Sequence, residues 1–137
     1  KSDENPNATI LMLDSSDAIT NKIKRAVTDS IGIVAYNDEQ KGIKNLINIY
    51  STFTGESTEA IVSKYEGKGY GDFKRETAEV IVEGLRPVRE KYEYLMENKD
   101  YLEEIYAKGA AKAHNKARKT LDKVYRKVGF VQAKRFE

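Results

Sequence analysis

The chain has 137 residues, 39% of them hydrophobic and 34% charged, with a formal net charge of +2. That is enough for one modest core and suits a helical protein with wide solvated faces. The lack of cysteine and the single histidine exclude disulfides, thiolate metal sites and multi-histidine centres, and no apolar run approaches the roughly 20 residues of a membrane span.

Taken in order, KSDENPN is polar, carries a turn at Pro6 and reads as a loop. ATILML, residues 8–13, is short and apolar and predicts a short buried strand. Asp14, Ser15 and Ser16 are N-cap candidates. Ile19, Ile23, Ala26 and Val27 then share one face of a helix from about Asp17 to Thr28. IGIVAYN predicts an extended segment over residues 31–36, and Asp38 is placed to cap the next helix. Ile43, Leu46, Ile47, Tyr50 and Phe53 give the inner face of that helix, which Gly55 ends. Ser57 opens a shorter one with Ile61, Val62 and Tyr65 inward, ending at Gly67.

A glycine-broken loop with Gly67, Gly69 and Gly71 leads to Asp72, a candidate cap for the spine of the bundle. Ile81, Leu85, Val88, Tyr92 and Leu95 predict its buried face, with a kink near Gly84–Pro87. After ENKD a last helix is predicted from about Asp100 to Val128. Its inner face is Leu102, Ile105, Tyr106, Gly109, Ala113, Ala117, Leu121, Val124 and Val128, and Gly129 is its C-cap. The whole reads as mainly α, a helical bundle with at most short strands near 8–13 and 31–36.

Charge is uneven. Residues 101–137 hold 10 Lys+Arg against 4 Asp+Glu, and the rest holds 14 against 18, a weak pointer to an acidic partner. Lys74 and Arg75 fall in the first turn of the spine helix, where the macrodipole disfavours cations. The pair suggests an anionic partner, or it is merely solvated. Tyr70 is placed to stack on an exposed base, or is structural. His114 lies off the apolar stripe, and Glu76, Glu79 and Glu83 have the spacing of a solvated face. No catalytic constellation is present.

Lys1 and Ser2 resemble the last two residues of the KMSKS signature of class I aminoacyl-tRNA synthetases. AITNKIKRAVTDS, GIKNLINIYSTFTGES, YEGKGYGDFK and EGLRPVREKYEYLM, in this order and spacing, closely resemble the bacterial tryptophanyl-tRNA synthetase family, from Lys1 to about Gly129. The different lysine signature and the added RNA-binding domain of the tyrosyl relatives are not seen. The resemblance divides the chain into the end of the KMSKS loop with its connection to a nucleotide-binding fold (1–16), a helical anticodon-binding domain (17–130) and a tail (131–137).

It further implies a C-terminal part of a cytoplasmic, homodimeric ligase. The intact enzyme activates tryptophan with ATP and Mg, releases pyrophosphate and esterifies tRNA(Trp). Lys1, followed by Ser2, matches the family lysine that stabilises charge on the pyrophosphate leaving group. The nucleotide-binding fold with its HIGH motif and tryptophan pocket lies outside this sequence. The chain alone is therefore expected to be inactive and to hold no cofactor or metal. By the same resemblance Lys74 and Arg75 are anticodon contacts and Lys24 and Arg25 phosphate contacts. Asp29 is either a cytosine acceptor or a helix-terminal turn residue. The alternative is a non-catalytic interaction or regulatory module derived from this fold.

Overall fold

The computed structural model describes residues 5–131. Lys1 and Ser2, and the tail beyond Val131, lie outside the described residues. The described residues form five α-helices and no strand, so the mainly α expectation holds. After a short turn at Pro6–Ala8 come α1 (Ser16–Arg25), α2 (Lys41–Thr54), α3 (Thr58–Lys64), α4 (Tyr70–Glu97) and α5 (Lys99–Val128). The chain divides into two compact units, one ending at Lys91 and the other beginning at Tyr92.

In the first unit, α1 begins where the Ser15 side chain accepts from the Ala18 N–H at 3.2 Å, satisfying one of the donors a helix start leaves open. It ends at Ala26, whose ψ of 132° leaves the helical range. Val27 therefore loses its expected inward phase and is exposed. The core gathers Ile19 and Ile23 of α1, Val34, and Ile43, Leu46, Ile47 and Tyr50 of α2. Ile61, Tyr65, Phe73, Ala78 and Ile81 complete it. Tyr50, Tyr65 and Phe73 form its aromatic centre, with Tyr65 edge-on to Phe73 at 4.9 Å between centroids. Gly55, at φ 76°, ends α2, and Ser57 caps α3 through the Ala60 N–H.

Three expectations fail here. ATILML is not a strand. The Leu11 N–H donates to Asp14 Oδ2 and the Asp14 N–H to Leu11 O, which closes a turn and leaves Leu11, Met12 and Leu13 exposed. Asp38 does not cap α2; it pairs with Lys44, and Asn37 accepts from the Glu39 and Gln40 N–H groups instead. Phe53 lies at the rim of the core rather than inside it.

The spine helix α4 starts at Tyr70, so Asp72 sits in its first turn and is not the cap. The helix runs unbroken through Pro87. Its buried residues are Phe73, Thr77, Ala78 and Ile81. The predicted inner face is displaced: Leu85 and Leu95 are half-buried, and Val88 and Tyr92 are exposed.

The second unit holds the last residues of α4, from Tyr92 on, and α5. Asn98 links the two helices, and its side-chain amide donates to Tyr94 O at 2.7 Å. Gly129, at φ 75°, caps α5 as expected, and Phe130 packs edge-on to Tyr125. No residue of α5 is buried. The predicted inner face fails: only Leu102 is half-buried, and Ile105, Tyr106, Leu121, Val124 and Val128 are exposed. The stripe has the right period, but the described residues of its unit contain no further element to cover it. No described helix is long and apolar enough to cross a membrane.

Candidate nucleic-acid interface at the head of the spine helix

The first turns of α4 lie beside the end of α1 and the loop that follows it. The side chains that hold these segments together come from three stretches of chain, residues 28–29, 37–40 and 70–74. Lys74, one turn into α4, sends its ammonium to the carbonyl of Ala26 at 2.7 Å and to Thr28 Oγ1 at 3.2 Å. A cation at a helix C-terminus satisfies an open carbonyl and complements the dipole there. Removal from water pulls the Lys74 pKa below the usual lysine value. Two of its three N–H donors are thus committed within the protein.

Tyr70, the first residue of α4, donates its hydroxyl to Asp29 Oδ1 at 2.6 Å. The same oxygen accepts from the Ile31 N–H at 2.8 Å and, more weakly, from Gln40 Nε2 at 3.4 Å. Gln40 is almost wholly buried. Its Nε2 also donates to Tyr70 Oη at 2.7 Å and to Ile33 O at 2.9 Å, and its Oε1 accepts from Asn37 Nδ2. The Tyr70 hydroxyl bond, first among these contacts, holds the Asp29 carboxyl below the usual aspartate range. Burial, then the facing carboxylate, pushes the Tyr70 phenol up. Asp29 Oδ2 is buried and has no hydrogen-bond partner among the described residues. A third close approach fixes the same loop: a Cβ on Gly42 would lie 2.1 Å from Val27 O.

A cavity of about 640 Å³ opens beside this clasp. It is lined by Thr20 and Lys24 of α1 and by Tyr70, Gly71, Asp72, Lys74, Arg75 and Ala78 of α4. Lys24, Lys74 and Arg75, three residues singled out from the sequence, therefore meet at one place. Arg75 is exposed and paired with Asp72 at 2.9 Å, a contact of little stabilising value in water. Arg25 does not join them; it lines a separate cavity with Lys22, Val27, Gly42 and Asn45. Lys22 is spent on Asp14 at 2.6 Å and on Thr9 O.

Of the other candidates, His114 is exposed as expected. Glu79 and Glu83 are exposed, but Glu76 is half-buried and accepts from the Tyr65 hydroxyl at 2.6 Å, so it is not part of a purely solvated face. No group of three or more His, Cys, Asp or Glu side chains among the described residues has the arrangement to hold a metal ion. Gln40, which bonds to both Asp29 and Tyr70, is missed by sequence reasoning. It precedes α2 in sequence like any polar residue before an amphipathic run, and nothing local marks it as buried.

Comparison with known proteins identifies the class. Residues 1–86 match the family described as tRNA synthetases class I (W and Y), and the chain belongs to that family. Within it, the chain is similar to tryptophan–tRNA ligases. The chain is 54% identical over 131 residues to the tryptophan–tRNA ligase of Clostridium perfringens, covering 96% of this chain and 40% of that one. It is 51% identical over 136 residues to that of Bacillus anthracis, covering 98% of this chain and 41% of the relative. The crystal structure of tryptophanyl-tRNA synthetase from Mycoplasma pneumoniae shares the fold, with a TM-score of 0.53 at 22% identity over 96% of this chain and 42% of that one. The chain thus spans about two fifths of the length of these relatives.

Proposed function

We propose that the chain is the anticodon-binding, C-terminal part of a tryptophan–tRNA ligase. The intact enzyme activates tryptophan with ATP and Mg and esterifies tRNA(Trp), as a cytoplasmic homodimer. The 137 residues alone bind tRNA and catalyse neither step. The observation that carries the reading is the meeting of Lys24, Lys74 and Arg75 around one cavity, in a chain about half identical to ligases of that name. Lys24, Arg25 and Arg75, all exposed, suit phosphate contacts, which position an RNA without reading it. Lys74 keeps one N–H donor for RNA after its two protein bonds. Asp29 is the carboxylate that accepts from a cytosine amino group. Lys1 and Ser2 act only in the intact enzyme, at the pyrophosphate leaving group.

The test is a titration of the chain with tRNA(Trp) across salt concentrations. Three neutralised phosphates give a log–log slope of roughly −2 to −3. Tryptophan-dependent ATP–pyrophosphate exchange should stay at background. Absent or salt-independent binding would sink the anticodon reading. It would favour an interaction module instead, for which the exposed apolar stripe of α5 is the supporting feature. Exchange above background would sink the claim of inactivity.

A further inference from the structure

We propose that α5 binds an anionic lipid surface, lying along it with its apolar stripe inward and its lysines among the headgroups. The inference concerns the second unit alone and does not rest on the anticodon-binding reading. It joins two features of α5 that the candidate interface leaves unused: an uncovered apolar stripe and a run of unpaired cations.

Tyr106, Leu121, Val124 and Val128 share one face of the helix and each exposes about half of its surface or more. Phe130, just past the Gly129 cap, is exposed as well. The charge is concentrated beside the later part of this stripe. Residues 111–128 hold seven Lys or Arg against one Asp, a net of +6, whereas residues 99–110 hold two against three, a net of −1. Lys108 of the earlier stretch pairs with Glu104. None of the seven later cations has a side-chain partner among the described residues. Lys112, Lys116, Lys123 and Lys127 each stand one residue before a stripe position, namely Ala113, Ala117, Val124 and Val128. One residue turns an α-helix by about 100°, so the four lysines line one border of the stripe.

The two features together select the partner. A helix with lysines on its polar side and large apolar residues on the other lies in the plane of a bilayer interface, its apolar face sunk between the headgroups. Lysines at the border lay their stems on the apolar surface and keep their ammonium groups at the level of the lipid phosphates. No described helix is long and apolar enough to cross a membrane, so α5 rests on the surface and does not span it. An RNA backbone would satisfy the cations but makes no use of Leu121, Val124 and Val128. A second copy would cover the stripe, but each α5 carries −1 and +6, a net of +5, and two such helices side by side repel. A neutral bilayer accepts the stripe and leaves the cations without counter-charge. Anionic lipid answers both features.

The experiment uses the full chain and two kinds of vesicle, phosphatidylcholine alone and phosphatidylcholine mixed with phosphatidylglycerol. Co-sedimentation measures binding at low and high salt, and circular dichroism checks each variant for native helix content. The wild type should bind the mixed vesicles, lose at least about tenfold in affinity at high salt, and leave phosphatidylcholine in solution. A lysine near an anionic surface is worth about fivefold in affinity, so Lys116→Gln/Lys123→Gln/Lys127→Gln should lose roughly a hundredfold. Leu121→Gln/Val124→Gln/Val128→Gln keeps every charge and should still lose about tenfold or more. Lys24→Gln/Arg75→Gln, at the head of α4, should bind the mixed vesicles within about threefold of the wild type. The chain has no tryptophan, so Phe130→Trp supplies a single reporter whose emission should shift to the blue on mixed vesicles only.

No binding to the mixed vesicles overturns the inference, as does equal binding to phosphatidylcholine alone. Loss in the lysine variant with none in the apolar variant also overturns it and marks α5 as a purely electrostatic face, of the kind an RNA backbone fits. Sedimentation velocity without lipid should show a monomer. A dimer that the apolar variant dissolves would give the stripe to a second copy and overturn the lipid assignment. Each of these results leaves tRNA binding at the head of α4 to stand or fall by its own titration.

Discussion

Phe73 and Ile81 on α4 are 0% and 1% exposed, whereas Tyr92 and Met96 further along the same helix are 46% and 45% exposed. Both ends of the helix are periodic, and both carry large apolar side chains. The difference is company. Up to Lys91, α1, α2 and α3 contribute residues to one core around the first turns of α4. From Tyr92 on, the described residues of the second unit offer the end of α4 only α5 as company. Helical period tells which side chains share a face, and the number of elements around that face decides whether it is buried. The two regions should therefore respond in opposite ways to equivalent substitutions.

The largest contrast is expected from truncation. Phe73→Ala removes a ring that contacts both Tyr50 and Tyr65 and should cost about 3–5 kcal/mol. Leu121→Ala on α5 should stay within roughly 0.5 kcal/mol, because Leu121 is exposed. Urea unfolding followed by circular dichroism measures both. Equal costs would mean that the two units are buried alike in solution.

A charged tie comes next. Asp14 accepts from Lys22 at 2.6 Å, with both side chains only 13% exposed, and from the Leu11 N–H. Asp14→Asn should cost roughly 1.5–3 kcal/mol. The bond to Lys22, then that to Leu11, holds the Asp14 carboxyl below its usual value. The folded pKa is thus lower than the unfolded one. The contribution of this group is fully present above the unfolded aspartate value of about 3.9 and fades as pH falls through the folded pKa. Urea midpoints between pH 6 and pH 3 should drop more for the wild type than for Asp14→Asn. Parallel curves would show that the tie contributes nothing.

The same contrast separates what the sequence displays from what it hides. Ser15, Ser57, Gly55 and Gly129 act as caps where their chemistry predicts, because capping is local. The inner faces of α1 to α3 are equally legible, apart from Val27, which the exit from α1 turns outward, and Phe53, which stays at the rim. ATILML misleads because its apolarity says nothing of the turn that Asp14 imposes from three residues away. The stripes of α5 and of the last turns of α4 are correct as periods and wrong as burial. At the candidate interface, the basic residues are visible as charge. The clasp of Asp29, Tyr70 and Gln40 is not, since its members are remote in sequence and only the fold joins them.

Two helical glycines give the smallest and sharpest comparison. In an exposed helix, glycine to alanine gains up to about 1 kcal/mol, chiefly because the unfolded chain loses freedom. Gly109 in α5 has nothing within 4 Å of the position a Cβ would take, so Gly109→Ala should raise stability by a sizeable part of that gain. Gly42, in the first turn of α2, carries the same propensity term but faces the Val27 carbonyl at 2.1 Å from where its Cβ would stand. That oxygen belongs to a backbone pinned on either side by Lys74 through Ala26 O and Thr28 Oγ1, so it cannot swing away as a flexible side chain would. Overpacking of this kind costs roughly 1–3 kcal/mol, which outweighs the propensity gain. Gly42→Ala should therefore be destabilising by up to about 2 kcal/mol and should disturb the loop that carries Asp29. Melting curves of the two variants should move in opposite directions from the wild type. A stabilised Gly42→Ala would show that the loop after α1 yields freely, and the clasp at the head of α4 would then be looser than its hydrogen bonds suggest.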